Sequence, residues 1–406
     1  MDKAIAQLFD LQGWIVYRTE YKQDSIQIYV GRPRKVARCP ECGKVTSRVY
    51  DRARQWRRKL HTWCNEKPVY LWVRPRRFQC TGCKKVFTER FPGIRPWARR
   101  TERAEALLLQ RLKANSFRQA AQESGMSPHS LRRLLLRCVG QKANLEEALK
   151  DMEAFVLSID EHSYRGRDMM VTVTCVWPKQ QLLAILPDDR IKTLERFLRQ
   201  MPDSVRQRIR AVCIDLKDAW RHAVKRALPG VVIVADPFHV IQDANRRVDE
   251  ARLVEQQVTG VRLRRWPLLK NEDDLTERQA AQLAAIRKHH KNVAHFHWVK
   301  EQLRDVYRAS NRDEATAILD RVIFETQSAS DAALLQWGRT LRHWREAILA
   351  YHTWRVSNGY TEGVHTKIKL LKRISYGFRN REIYVRKMLL AFVPLAWLTS
   401  HPQLLT

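Results

Sequence analysis

Between residues 154 and 236 three apolar segments each run straight into an aspartate, and this block constrains the fold more than any other feature. Ala154-Phe155-Val156-Leu157-Ser158-Ile159 leads to Asp160, Ile209-Arg210-Ala211-Val212-Cys213-Ile214 to Asp215, and Val231-Val232-Ile233-Val234-Ala235 to Asp236. Runs this short, apolar and rich in β-branched residues predict buried strands. Met169 to Val176 and Gln181 to Leu186 read as two further strands after a turn around Arg165-Gly166-Arg167, so the first three form an antiparallel meander. Ile191 to Met201 and Ala219 to Leu228 have the spacing of amphipathic helices.

The order three strands, helix, strand, helix, strand is that of a ribonuclease-H-like α/β core. Its chemistry follows from the aspartates. Neighbouring strands that end in carboxylates put hard oxygen donors at one sheet edge, and Mg2+ or Mn2+ prefers such donors. Two ions held this way activate a nucleophile and stabilise a leaving oxygen in phosphoryl transfer. A third carboxylate appears in the stretch Ser357 to Arg373, where Glu362 opens a helix. Val364, Ile368 and Leu371 form its apolar stripe, and Glu362, His365, Thr366, Lys369 and Arg373 share the other side. That face suits one metal ligand followed by Lys369 and Arg373 along a DNA backbone. A solvated helix with a Glu near its N-terminus gives the same pattern, and a single Asp after a strand is more often a turn residue. The reading rests on all three carboxylates together.

Charge points to the partner. Lys and Arg number 75 against 43 Asp and Glu, a formal net charge of +32. Such a field repels itself unless a polyanion is near, and nucleic acid supplies one through counterion release. The basic residues are spread along the chain, unlike a membrane-surface helix. The longest apolar run, Met388 to Leu398, contains Pro394 and is too short to span a bilayer. The N-terminus lacks the pattern of a secretory signal.

Four of the eight cysteines form two C-x-x-C pairs, Cys39/Cys42 and Cys80/Cys83. Two knuckles of this kind suit one tetrahedral Zn2+ in a zinc ribbon. The gap between them is long and contains strand-like alternation at Tyr70 to Arg74 and Arg77 to Gln79. His61 and Cys64 in the gap are alternative ligands. Thr101 to Gly140 reads as helices with helix-turn-helix punctuation: Ala120 and Ala121 for close packing, Gly125 at the turn, Ser127 as N-cap and Pro128 at the first helical position. Ser127, His129, Ser130, Arg132, Arg133 and Arg137 would then face phosphates and base edges. An ordinary helical hairpin with a basic face remains the plain alternative.

The chain resembles the DDE transposases of the ISL-three group of bacterial insertion sequences over nearly its whole length. The resemblance is carried by Ile159-Asp160-Glu161, Ile214-Asp215, Ala235-Asp236-Pro237-Phe238-His239-Val240, Val248-Asp249-Glu250-Ala251-Arg252 and Asn358 to Asn380, including Arg373-Ile374-Ser375-Tyr376-Gly377-Phe378-Arg379-Asn380. It implies a catalytic triad of Asp160, Asp215 and Glu362. It places Asp236 and His239 beside the site, with His239 bonding either the scissile phosphate or a carboxylate. It also implies a helical insertion before the Glu helix, and helical patterns do dominate from Ile241 to Arg355, with Trp266, Trp298, Trp337 and Trp344 among them. His365 stands where the group usually has Asn, and Trp177 where an Asp is common.

The organisation expected is an N-terminal segment (1–33), a zinc-ribbon module (34–92), a helix-turn-helix domain (93–148), a ribonuclease-H-like core in two parts (149–242 and 356–406) and an all-α insertion (243–355). The function expected is a transposase that binds terminal inverted repeats and target DNA, with Mg2+ or Mn2+ at the catalytic site and Zn2+ at the N-terminal module. It would work as a homodimer in the cytoplasm, on the nucleoid. A zinc-containing transcriptional regulator with a degenerate core, or a ribonuclease-H-like nuclease, are the alternatives.

Overall fold

The computed structural model describes residues 3–33 and 35–399. Two compact units divide the chain: Met1–Gln141 with Lys369–Thr406, and Lys142–Ile368.

In the first unit, β1 (Ile15–Tyr21), β2 (Ile26–Gly31), β3 (Arg57–Cys64) and β4 (Lys67–Val73) form one sheet in the order β1-β2-β4-β3. Alternation in β2 and β4 sends Ile26, Ile28, Val30, Val69, Leu71 and Val73 to one face, where Phe9, Leu11 and Phe91 complete a core. The parallel pairing of β2 with β4 therefore joins residues expected on opposite sides of a boundary at residue 33. Neither strand covers that apolar face alone. Short strands at Ala37–Arg38 and Val45–Thr46, and a three-stranded sheet from Val49–Arg52, Arg76–Gln79 and Val86–Thr88, carry the cysteine knuckles.

Three helices follow: α1 (Glu102–Ala114), α2 (Phe117–Ser124) and α3 (Pro128–Cys138). Thr101, Ser116 and Ser127 cap them through their hydroxyls, and Gly125 ends α2 in the left-handed conformation at φ 65°. Leu108, Leu112, Ala120, Leu131, Leu134 and Leu135 are buried between them.

The second unit holds β5 (Phe155–Arg165), β6 (Asp168–Trp177), β7 (Gln181–Leu186), α4 (Ile191–Arg199), β8 (Ile209–Ile214), α5 (Asp218–Ala227) and β9 (Val232–Ala235). The sheet order is β7-β6-β5-β8-β9. Pairing is antiparallel among the first three strands and parallel from β5 to β8 to β9. Asp160 lies inside β5, not at its end as the sequence suggested. The hairpin with β6 extends β5 beyond Ile159, where the last parallel pair, Ile159 with Ile214, is made.

A helical excursion follows: α6 (Pro237–Thr259), α7 (Glu277–His289), α8 (Lys291–Arg308), α9 (Arg312–Gln327) and α10 (Ala332–Leu349). It returns to the sheet through Ala350 and Val356, which pack with Val156, Cys213 and Val234. Then α11 (Gly359–Ile374) begins. The last long helix, α12 (Arg381–Phe392), packs on α1 and α3. Its buried Lys387 donates to the Lys113 carbonyl at 3.3 Å and Arg386 to the Leu136 carbonyl at 3.1 Å. Residues from 369 onward thus join the helix-turn-helix unit, whereas the sequence put 356–406 in the catalytic core. Tyr384, Val385, Met388 and Leu389 bury an apolar surface there that could not stay in water.

Candidate active site

Asp160 and Asp215 follow the last paired residues of two adjacent parallel strands, so chain geometry sets them side by side. Both are buried. Burial, and then the charge of Asp215, push the Asp160 carboxyl up to about 7. Two buried carboxylates so placed form a site short of positive charge.

His239 supplies part of it. Its Nδ1 donates to Asp215 Oδ1 at 2.6 Å. Burial acts against its protonation, but the Asp215 bond and the nearby aspartates outweigh it and raise its pKa. The ligand atoms of Asp160, Asp215 and His239 lie within 4.8 Å of one another, as do those of Asp236, His239 and Glu362. His239 is common to both groups. Among the described residues the three carboxylates of the expected triad do not gather as a single such cluster.

Asp236 is fully buried and has a structural duty. One oxygen caps α6 by accepting the His239 N–H at 3.2 Å, and the other accepts the Asn358 N–H at 2.8 Å. Asn358 in turn reaches Asp215 Oδ1 at 3.5 Å through Nδ2, and its Oδ1 accepts the Ser158 hydroxyl at 2.7 Å. Glu362 lies in the first turn of α11, its N–H bonded to the Asn358 carbonyl at 2.9 Å. At the rim Lys217 pairs with Glu161 at 2.6 Å and lies 3.8 Å from Asp215. His365 Nδ1 lies 3.5 Å from Asp160 Oδ2, and its Nε2 is 2.9 Å from the Thr172 hydroxyl.

Sequence reasoning missed Asn358, Lys217, Thr172 and His162, whose Nδ1 is 2.8 Å from the Thr172 hydroxyl. Asn358 stands at the start of the stretch Asn358 to Asn380, and Lys217 stands two residues after an aspartate. The partners of Thr172 left no pattern to read.

The four cysteines converge. Cys39 Sγ is 3.6 Å from Cys83 Sγ, Cys42 Sγ is 3.4 Å from Cys80 Sγ, and all four lie within 4.8 Å. A tetrahedral ion with bonds of ~2.3 Å spaces its sulfurs about 3.8 Å apart. His61 is spent elsewhere, on the Phe9 carbonyl at 2.8 Å and the Thr101 hydroxyl at 3.1 Å.

On α3, His129, Arg132 and Arg133 are exposed, and Ser130 is half-buried. Two of the expected contacts already have partners within the fold. Arg137 is committed to the buried Glu105, at 2.5 Å, within a cluster that also holds Arg95 and Arg100. The Ser127 hydroxyl is engaged in the cap of α3, accepting from the Ser130 N–H at 3.2 Å. Lys369 and Arg373 are exposed on α11.

Residues 157–388 match the family model for a transposase, DDE_Tnp_ISL3, and residues 89–139 match the helix-turn-helix domain of transposase family ISL3. The chain belongs to the ISL3 transposase family. It is 26% identical over 405 residues to the transposase for insertion sequence element IS1001 of Bordetella parapertussis, covering 96% of this chain and 98% of that one. It is 27% identical over 281 residues to the transposase for insertion sequence element IS1557 of Mycobacterium tuberculosis (strain CDC 1551 / Oshkosh), covering 61% and 63%. Family membership carries DNA cleavage and transfer as the activity and a divalent metal as its requirement, and the helix-turn-helix carries DNA binding. The regulator and nuclease alternatives are not favoured. Among the described residues no helix is long and apolar enough to cross a membrane.

Proposed function

We propose that Asp160, Asp215 and Glu362 are the catalytic carboxylates of this transposase, in a sheet of ribonuclease-H-like order, and that they hold Mg2+ or Mn2+ in a two-metal mechanism. The observation that carries this is the buried Asp160–Asp215 pair at the end of the parallel β5/β8 register, where burial and then the Asp215 charge raise Asp160 to about 7. Hard oxygen donors in that state fit a divalent ion. When bound, such ions activate the attacking oxygen and stabilise the leaving one. The protein's own groups do the positioning. Asp236 ties the start of α11 to the sheet, Asn358 and His239 hold Asp215, and Lys217 sets a positive charge at the rim. With Nδ1 given to Asp215, His239 acts on a carboxylate, which favours that one of its two expected roles.

The four cysteines would hold Zn2+ in a ribbon module, with α3 entering the major groove through His129, Ser130, Arg132 and Arg133, and Lys369 and Arg373 contacting phosphates. Terminal inverted repeats and target DNA would be the substrates, two copies of the chain would pair the two ends, and the work would take place on the bacterial nucleoid. The test is incubation of purified protein with labelled element-end DNA, with and without Mg2+ or Mn2+. Metal-dependent cleavage at the element boundary, lost in Asp215→Ala with end binding retained, is expected. Cleavage by Asp160→Ala, Asp215→Ala or Glu362→Ala would sink the triad.

A further inference from the structure

Two positions in the first unit have a backbone that calls for glycine and carry an aromatic ring instead. The first closes α11. Tyr376 N–H bonds to the Arg373 carbonyl at 3.0 Å and Gly377 N–H to the Lys372 carbonyl at 2.9 Å. This is the paired hydrogen-bond pattern of a Schellman helix end, whose left-handed residue is normally Gly. Here it is Tyr376, at φ 53°. The second is the turn Arg95-Pro96-Trp97-Ala98, closed by Ala98 N–H to the Arg95 carbonyl at 3.1 Å. Pro followed by a left-handed residue makes a type II turn, and its third position again prefers Gly. Trp97 occupies it at φ 61°.

Neither ring recovers the strain by packing. Tyr376 is 96% exposed and Trp97 86%, the two highest values among the exposed large hydrophobic residues described. A single exposed ring is ordinary on a protein surface, but a ring held in water on a left-handed backbone position points to a use outside the folded unit. Both rings stand in cationic surroundings. From residue 363 to 381 there is no acidic residue and there are six Lys or Arg. From 90 to 101 there is again no acid; Arg95 and Arg100 turn to the buried Glu105, while Arg57 lies 5.6 Å over the Trp97 ring. Nearby, Lys59 donates to the Ala98 carbonyl, and its pKa is lowered by burial and then by the charges of Arg57 and Arg99.

We infer that Trp97 and Tyr376 are stacking residues that take DNA bases against their rings while the flanking cations hold the phosphates. Rings and cations interleaved in this way bind the unpaired bases of single-stranded DNA without regard to sequence, because every unstacked base has a π face. The motif Arg373 to Asn380 thereby gains a role that the catalytic carboxylates leave unexplained. The inference rests on the DNA-binding reading above and can fail apart from it.

The test uses the full chain with Trp97→Gly, Tyr376→Gly, and the ring-keeping Trp97→Phe and Tyr376→Phe. Binding is followed by fluorescence anisotropy on a fluorescein-labelled random-sequence duplex with a single-stranded extension, at several salt concentrations. Each glycine variant should melt no lower than wild type, because Gly suits a left-handed residue. Each should bind about 5- to 150-fold more weakly, the range for loss of one base–aromatic stack. The dependence of log affinity on log salt should not change, since no phosphate contact is removed, and the Phe variants should stay near wild type. Wild-type affinity in both glycine variants, or a loss matched by a shallower salt slope, would overturn the stacking role alone. Failure of the wild-type chain to bind the probe would overturn the DNA-binding reading with it.

Discussion

Replacing Asp236 by Ala probes how the site is assembled. The carboxylate is fully buried and accepts two backbone N–H groups, His239 at 3.2 Å and Asn358 at 2.8 Å. Losing the N-cap of α6 costs about 1 kcal/mol. Leaving the buried Asn358 N–H without a partner costs about 1–3 kcal/mol more. Part is returned, because a buried carboxylate beside Asp215 is itself unfavourable; burial already raises the Asp236 pKa. The net expectation is about 1–3 kcal/mol, or roughly 2–12 °C in melting temperature for a domain of this size. Asp236→Asn keeps one acceptor oxygen and should fall between. Differential scanning calorimetry of the full chain measures the loss. Cleavage should drop further than stability does, because Asn358 anchors the turn that carries Glu362, and a misplacement of about 1 Å can cost roughly 100-fold. An Asp236→Ala protein that melts and cuts like wild type would refute the reasoning.

Arg137→Ala should destabilise the helix-turn-helix by about 1.5–3 kcal/mol, as a charge-assisted bond to buried Glu105 is lost. Arg133→Ala should leave stability alone and lower the salt slope of DNA binding by about 1. Denaturant titration and binding isotherms separate the two, and the opposite pattern would make Arg137, and not Arg133, the phosphate contact. Chelation should release about one Zn2+ per chain and unfold the cysteine module, as structural zinc sites do; a chelator-resistant module would rule the ion out. His297 predicts a pH dependence. It is buried, faced by Glu272, Arg287, Lys300, Glu301 and Arg304, and burial followed by the charges of Lys300, Arg287 and Arg304 lowers its pKa to about 3. Below pH 6.5 the unfolded chain takes up a proton that the folded chain refuses. Stability is therefore full above that pH and falls by up to about 1.4 kcal/mol per unit below it. Urea midpoints at pH 7 and 5 should show the slope in wild type and a flatter one in His297→Gln.

How much of this was readable depends on the range of the forces involved. Gln181–Leu186 and Ile209–Ile214 were found with the right bounds because burial on both faces of a sheet leaves a nearly unbroken apolar run, interrupted in the second only by the exposed Arg210. Ser127, Pro128 and Gly125 were found because caps and turns act within four residues. The bond from Arg137 to Glu105 was not legible because its partner lies 32 residues earlier in the chain. Any exposed-looking Arg on a helix reads as a phosphate contact until the neighbouring helix is known. The same holds for α12, whose apolar surface was visible but whose acceptors, on α1 and α3, were not. Asp215 and Asp236 were legible as the residues that follow strands, while the place of Asp160 inside β5 and the duty of Asp236 to Asn358, 122 residues away, were not.

The placement of Glu362 follows from a match between two repeats. On the sheet, Ser158 pairs with Thr174 and, two residues along, Asp160 pairs with Thr172. On α11, Thr361 lies 2.7 Å from the hydroxyls of both Ser158 and Thr174, and His365, four residues later, lies 2.9 Å from Thr172 and 3.5 Å from Asp160. Four residues of helix advance about 6.0 Å, and two residues of strand about 6.7 Å. The two lengths agree closely enough for consecutive helix turns to meet consecutive cross-strand pairs. A slip of the helix by one residue would break both sets of contacts at once and leave buried hydroxyls without partners. Glu362 follows Thr361 directly, so the same lock fixes its height against Asp160. Histidine at 365 is long enough to serve Thr172 and Asp160 together. The helical excursion from Pro237 to Trp354 can therefore vary in length without moving the carboxylate, provided it returns Asn358 to Asp236.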